Sequence, residues 1–168
     1  DNMAKSKYDK SISACFSGHR IIPYFHLKRL ERLLRTTIIS AYADGCRNFF
    51  CGMAMGYDLL AAETLLSLQS ELPDLRLIAV IPYRGQTERW SDAMKSRYDD
   101  VLRNANDIVI LSEHYYQGCL LRRNDYMVVH SSRLIAWYNG NPKGGTFYTC
   151  RLAETNGLTV INLYDSRN

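Results

Sequence analysis

Apolar residues in this chain alternate between short dense runs and longer stretches where they recur every three or four positions. The dense runs at 12–16, 48–51, 75–81, 108–111, 134–137 and 158–163 predict six strands. The run at 75–81 is almost continuously apolar, as expected of a strand covered on both faces. The spaced stretches at 25–44, 58–71, 87–103, 120–131 and 146–156 predict five helices. In the first, Leu27, Leu30, Leu34, Ile38 and Ala41 form one stripe. Strand and helix therefore alternate through the whole chain, without an internal repeat or a linker. That alternation calls for a parallel sheet with helices on both faces, joined by right-handed crossovers. The expected fold is one α/β domain spanning residues 1–168: a Rossmann-like three-layer α/β/α sandwich with a mainly parallel sheet of about six strands. Residues 1–10 read as a flexible leader carrying a short expression scar, with Met3 starting the native chain.

In such a fold ligands sit beyond the carboxyl ends of the strands, where strand order reverses. Loops that follow strands are therefore where chemistry is sought. Gly144-Gly145-Thr146 lies between the strand at 134–137 and the last helix. Glycines there allow a sharp turn, and a helix N-terminus offers free N–H groups and a positive dipole end to a phosphate. A plain Gly-rich turn ending in a helix cap is the competing reading. Thr146, Thr149, Cys150 and Ala153 put small residues on one face, so that helix can approach the sheet closely. The turn Ser17-Gly18-His19-Arg20 follows the first strand. Gly18 permits close backbone approach, and His19 and Arg20 are donors for an anion, unless this is simply a solvated surface turn. In a doubly wound sheet these two turns face one another across the crevice, and together they describe one phosphate-receiving pocket.

Three further groups border that picture. The loop 52–56, with Gly52, Met53 and Gly56, follows the second strand but spells neither a dinucleotide fingerprint nor a P-loop. Asp58, Ala61, Ala62, Leu65 and Leu66 then mark the face of the helix that meets the sheet. An acid in that first turn either binds a ribose hydroxyl or backbone N–H at the pocket mouth, or simply favours the helix dipole. Glu63, at the edge of the stripe, reaches the pocket or stays in solvent. After the third strand, Arg84 offers charge, and Tyr83 and Trp90 offer flat faces for a base or else pack in the core. In the helix at 120–131, Asn124 shares a stripe with Leu120, Met127 and Val128 and points inward with Arg123 beside it, while Arg122 faces solvent.

Composition narrows the classes. At 168 residues, with 46% hydrophobic and 23% charged content, the chain is an ordinary folded domain. A net charge of +4 favours anionic ligands mildly, and no continuous basic stripe accompanies it. The five cysteines lie in apolar contexts and form no zinc spacing, which suggests buried, reduced thiols. No apolar stretch approaches the length of a membrane span. A cytoplasmic protein without membrane partner, metal or cofactor is expected. Nucleophilic catalysis has little support, since no Gly-x-Ser-x-Gly elbow occurs and buried thiols resist ionisation.

The stretches F-S-G-H-R at Phe16 to Arg20, G-M-A-M-G-Y-D-L-L-A-A-E at Gly52 to Glu63 and I-P-Y-R-G-Q-T-E-R-W at Ile81 to Trp90 resemble the YpsA-like family. So do R-N-D-Y-M-V-V-H-S-S at Arg123 to Ser132 and G-G-T-F-Y-T at Gly144 to Thr149. This bacterial family, a former domain of unknown function, belongs to the SLOG superfamily, which is Rossmann-like and includes the LOG phosphoribohydrolases and DNA-processing protein A. The resemblance implies a nucleotide or nucleotide-derived ligand related to ADP-ribose, held by the loops at Gly18, Gly52 to Gly56 and Gly144-Gly145. Arg20, Asp58, Glu63, Arg123, Asn124 and Thr146 would line the pocket. One departure bears on activity. The phosphoribohydrolases carry P-G-G-x-G-T-x-x-E, whose Glu serves the reaction, whereas this chain has Thr149 three places after its Thr. A nucleotide-binding or sensing protein is thus the leading expectation. An N-glycoside hydrolase using Asp58 or Glu63 comes second, and a single-stranded DNA binder third. A homo-oligomer is compatible with each.

Overall fold

The computed structural model describes residues 7–165. The expected start at Met3 lies outside the described residues. Six strands form one fully parallel sheet: β1 (Ser13–Gly18), β2 (Asn48–Cys51), β3 (Arg76–Ile81), β4 (Asp107–Ile110), β5 (Arg133–Trp137) and β6 (Thr159–Asn162). Their spatial order is β4-β3-β2-β1-β5-β6. Five helices connect them: α1 (Leu27–Ala43), α2 (Tyr57–Leu68), α3 (Asp92–Asn104), α4 (Cys119–Val129) and α5 (Gly145–Thr155). This is the Rossmann-like α/β sandwich that the alternating pattern predicts.

The two-residue period of the strands divides the core in two. Ala14, Phe16, Phe49, Cys51, Leu77, Ala79, Ile135 and Trp137 face α1, α2 and α3. Cys15, Phe50, Ile78, Val80, Leu134 and Ala136 face α4 and α5. The chain moves outward from β1 to β4 with its helices on one face. It then returns through α4 on the other face to place β5 beside β1. Strand order reverses between β1 and β5, where Gly18 is registered against Trp137. The crevice expected of a doubly wound sheet opens above that pair.

Local signals explain most boundaries. The α1 stripe is buried at Leu30, Leu34, Ile38 and Ala41, and the helix stops at Asp44 before Gly45. α3 begins at Asp92, five residues later than its apolar spacing predicts, because the Ser91 hydroxyl caps it by accepting from Met94 N–H (3.3 Å). The residues before it form successive turns closed by Gln86 N–H to Tyr83 O, Glu88 N–H to Gly85 O and Trp90 N–H to Thr87 O. Within the stretch read as a leader, Tyr8 is buried edge-on to Phe50 and its hydroxyl donates to Asp107. Among the described residues, no helix is long and apolar enough to cross a membrane. All five cysteines are buried and none is in a disulfide.

Candidate functional site

A cavity of about 490 Å³ opens at the β1/β5 switch point. Its size falls within the roughly 300–1,000 Å³ usual for small-molecule sites. Gly18, His19 and Arg20 line it from the β1 loop, Asp58 from α2, Arg123 and Asn124 from α4, and Gly145 and Thr146 from α5. The turns after β1 and β5 therefore meet at one rim, as their positions after neighbouring strands require. A direct bond joins them: Asn139 N–H donates to His19 Nε2 at 2.9 Å. That nitrogen accepts only when the ring is neutral, and burial also holds the His19 pKa below its ordinary value.

The α5 end of the cavity is rich in donors. Gly144 is the N-cap and supplies no side-chain cap. No described residue accepts from the N–H groups of Gly145, Thr146 and Phe147, so the first turn retains its open donors. The Thr146 hydroxyl lines the cavity as well. Opposite, the exposed Arg20 guanidinium makes no hydrogen bond or ion pair with the described residues and lines the same space.

Two charged groups form the floor. Arg123 is 5% exposed; its Nη1 donates to the Gly52 carbonyl (2.6 Å) and its Nε to Asn124 Oδ1 (3.0 Å). Asp58 is also 5% exposed, and its Oδ2 accepts from Ala54 N–H at 3.1 Å. Burial pushes the Asp58 carboxyl up to about 6, opposed by the positive charge of Arg123, the Ala54 hydrogen bond and Arg20. Burial likewise lowers Arg123, and Asp58 opposes that change. A buried acid and a buried base thus stabilise each other's charge without a close ion pair.

The loop beneath is shaped by its backbone. Met53 is fully buried at φ +62°, a left-handed conformation uncommon outside glycine. Gly56 has φ +77°, and a Cβ there would lie 2.2 Å from the Arg20 carbonyl oxygen. Gly18 is constrained from the other side: a Cβ would lie 2.4 Å from the Tyr57 ring, whose hydroxyl donates to Ile135 O (2.8 Å). The glycines in these two loops let chain segments touch under the cavity. The close backbone approach expected at Gly18 is made to Tyr57.

Other candidate residues lie elsewhere. Glu63 pairs with Arg97 (Oε2 to Nε 3.2 Å) beside a separate surface depression lined by Arg35 and Thr64. Arg84 is exposed and forks onto Glu113 (2.7 and 3.0 Å). Trp90 packs edge-on to Tyr98 (ring centroids 5.5 Å apart). Tyr83 meets the cavity only through Tyr115, 5.3 Å away edge to face. Conversely, Ala54, Tyr115, Cys119 and Met127 line the cavity without having been singled out. Gly118, left-handed at the N-terminus of α4 (φ +93°), was the available signal for the Tyr115–Cys119 wall. Among the described residues no cluster of three His, Cys, Asp or Glu is placed to hold a metal ion. Burial pushes the Cys15 thiol up to about 12 and the Cys150 thiol to about 11, far from nucleophilic thiolates.

A parallel sheet of this order with helices on both faces defines a Rossmann-like α/β class, and comparison with known proteins narrows the class to a family. The model of the YpsA (YspA SLOG) family matches residues 25–161, so the chain belongs to that family. Relatives include a UPF0398 protein of Halalkalibacterium halodurans, 25% identical over 139 residues, covering 82% of this chain and 71% of the relative. A UPF0398 protein of Bacillus velezensis is 27% identical over 140 residues, covering 80% and 77%. The UPF0398 protein YpsA of Bacillus subtilis is 25% identical over 127 residues, covering 74% and 71%. Among solved structures, DNA processing protein A from Helicobacter pylori, described for its single-stranded DNA binding mode, superposes with a TM-score of 0.60 at 20% identity. The match covers 90% of this chain and 65% of that protein, and at this identity it establishes the shared fold.

Proposed function

We propose that this protein binds a nucleotide or nucleotide-derived small molecule of the ADP-ribose type in the β1/β5 crevice, as a binding or sensing module. One observation carries the reading: the open N–H groups of the α5 first turn and the Arg20 guanidinium, which has no hydrogen-bond partner among the described residues, line a single cavity. Donors of both kinds suit a phosphate, the first through the helix dipole and the second as a bidentate cation. Asn124, Thr146 and Asp58 supply polar groups for sugar hydroxyls at the same rim.

Two other readings have observations of their own. Asp58 is a buried carboxyl in the cavity with its pKa raised to about 6, a property suited to general acid–base work in N-glycoside hydrolysis. Single-stranded DNA is suggested by the printed description of the Helicobacter pylori neighbour, and Tyr24 and Phe25 after β1 are exposed aromatics of the kind bases stack on.

Titration calorimetry with AMP, ADP-ribose and NAD distinguishes them. Binding by at least one of these, lost in Arg20→Ala and Gly145→Asp, is the expected result. Binding of single-stranded DNA alone, with a steep salt slope, would replace this reading with the third. Release of free base during incubation, abolished in Asp58→Asn, would make the protein a hydrolase.

A further inference from the structure

The wall of the β1/β5 cavity between β4 and α4 carries an aromatic ring with an open face. Tyr115 is 64% exposed and lines the cavity, whereas Phe16, also in the lining, is fully buried. Tyr83 meets Tyr115 edge to face at 79°. Such a contact covers at most one face of a ring, and no second ring among the described residues meets Tyr115. The loop that carries it is fixed on both sides. Before Tyr115, Arg84 forks onto Glu113, and its own N–H donates to the Ser112 carbonyl at 3.2 Å. After it, Arg122 Nη1 donates to the Tyr116 hydroxyl (3.0 Å) and to the Leu111 carbonyl (3.1 Å). Tyr83 and Arg84 belong to the loop after β3, whose conspicuous aromatic and basic residues are otherwise remote from the cavity.

The cavity changes character along α4. Asn124 Nδ2 lies beside Gly145 at the α5 donor turn, and Asn124 Oδ1 is taken by Arg123. Five residues earlier, about 7.5 Å along the helix axis, Cys119 and its apolar neighbours Leu120 and Leu121 line the cavity next to Tyr115. That separation suits one sugar between a phosphate and a base. We infer that Tyr115 is the platform on which the ligand's aromatic base stacks, so that the cavity selects base-bearing phosphates over sugar phosphates. The inference rests on the proposed nucleotide site and adds the residue that reads the base. Arg84, through Glu113, is a positioning residue for that platform.

The test compares AMP with ribose 5-phosphate by calorimetry on the wild type, Tyr115→Ala, Tyr115→Phe and Arg84→Ala. The wild type should bind AMP at least about tenfold more tightly, the size of one base–aromatic stack. Tyr115→Ala should lose that preference with ribose 5-phosphate affinity unchanged, and Tyr115→Phe should keep it. Arg84→Ala should narrow it by roughly threefold, as an exposed ion pair allows. Thermal melts confirm folding of each variant. A preference kept in Tyr115→Ala, equal loss of both ligands there, or no wild-type preference overturns the inference and leaves a phosphate site standing. A preference unchanged in Arg84→Ala overturns the positioning role alone. Failure of the wild type to bind either ligand overturns the nucleotide reading as well.

Discussion

Arg123 Nη1 donates to the carbonyl oxygen of Gly52 at 2.6 Å, joining residues 71 apart in the chain. The bond ties the start of α4, on one face of the sheet, to the loop that leads into α2 on the other. It also places a guanidinium under the cavity, where its charge opposes the neutralisation of Asp58. Arg123→Met removes the donor and leaves the carbonyl buried. The expected loss of unfolding free energy is roughly 1–3 kcal/mol, the usual result of orphaning a buried polar group. Urea unfolding at neutral pH measures it, and an unchanged midpoint would mean that the bond contributes nothing net.

Asp58 makes a pH-dependent contribution whose sign follows from its raised pKa. The folded state holds this proton up to about pH 6, whereas an unfolded Asp releases it near pH 3.8. The stabilisation linked to this group is present below about pH 4, is lost as pH rises through 6, and is flat beyond. Subtracting the profile of Asp58→Asn from the wild type isolates it, whatever the offset caused by Arg123. The difference should fall by roughly 2–3 kcal/mol between pH 4 and pH 7, as the gap between 3.8 and about 6 implies. A difference that rises across that interval would contradict the raised pKa.

Gly56→Ala tests the seam between the first two loops. The residue has φ +77°, and a Cβ would lie 2.2 Å from the Arg20 carbonyl oxygen, a backbone atom that cannot rotate away. A loss of at least about 2 kcal/mol is expected, since backbone strain and a hard clash add. Thermal unfolding is sufficient to read it.

Gly145→Asp separates ligand binding from stability. A Cβ at Gly145 meets only Asn124 Nδ2, at 3.9 Å, so the side chain fits. A carboxylate in the first turn of α5 is favoured by the dipole, by roughly 0.3–1 kcal/mol. The variant should therefore melt no lower than the wild type while losing affinity for AMP or ADP-ribose in calorimetry.

Glu63→Gln is the complementary control. Glu63 is half-exposed, paired with Arg97, and outside the cavity lining. The substitution should change stability by less than about 1 kcal/mol and leave nucleotide affinity unaltered. A binding defect would place Glu63 in the site after all.

Much of the architecture was legible in the pattern of apolar residues. Spacing of three or four located α1 through Leu30, Leu34 and Ile38, and the nearly unbroken run ending at Ile81 marked a strand covered on both faces. The start of α3 was misread because residues 87–91 continue a helix-compatible spacing, while one serine hydroxyl bonding Met94 N–H decides the boundary. Within the site, Asp58 and Asn124 were legible because each shares a helical stripe with apolar core positions. Arg84 and Glu63 were not resolved from sequence, because whether a charged side chain reaches a cleft depends on which opposite charge it meets first. Glu113 and Arg97, remote in sequence, are those partners.

The order of residues by itself determined an alternating α/β chain, the loops bearing glycine after successive strands, and which face of α4 turns inward, whereas α2 is buried at Tyr57, Leu59, Leu60 and Leu68 beyond its expected stripe. Those properties are local: they follow from period, turn chemistry and the exclusion of apolar groups from water. Tertiary structure alone decided that β5 returns beside β1, that Arg123 bonds the Gly52 carbonyl, and that His19 and Arg20 line two cavities at once. Such adjacencies join residues far apart in the chain. They are fixed by the handedness of the crossovers and the packing of two helical layers, which no local window of sequence encodes.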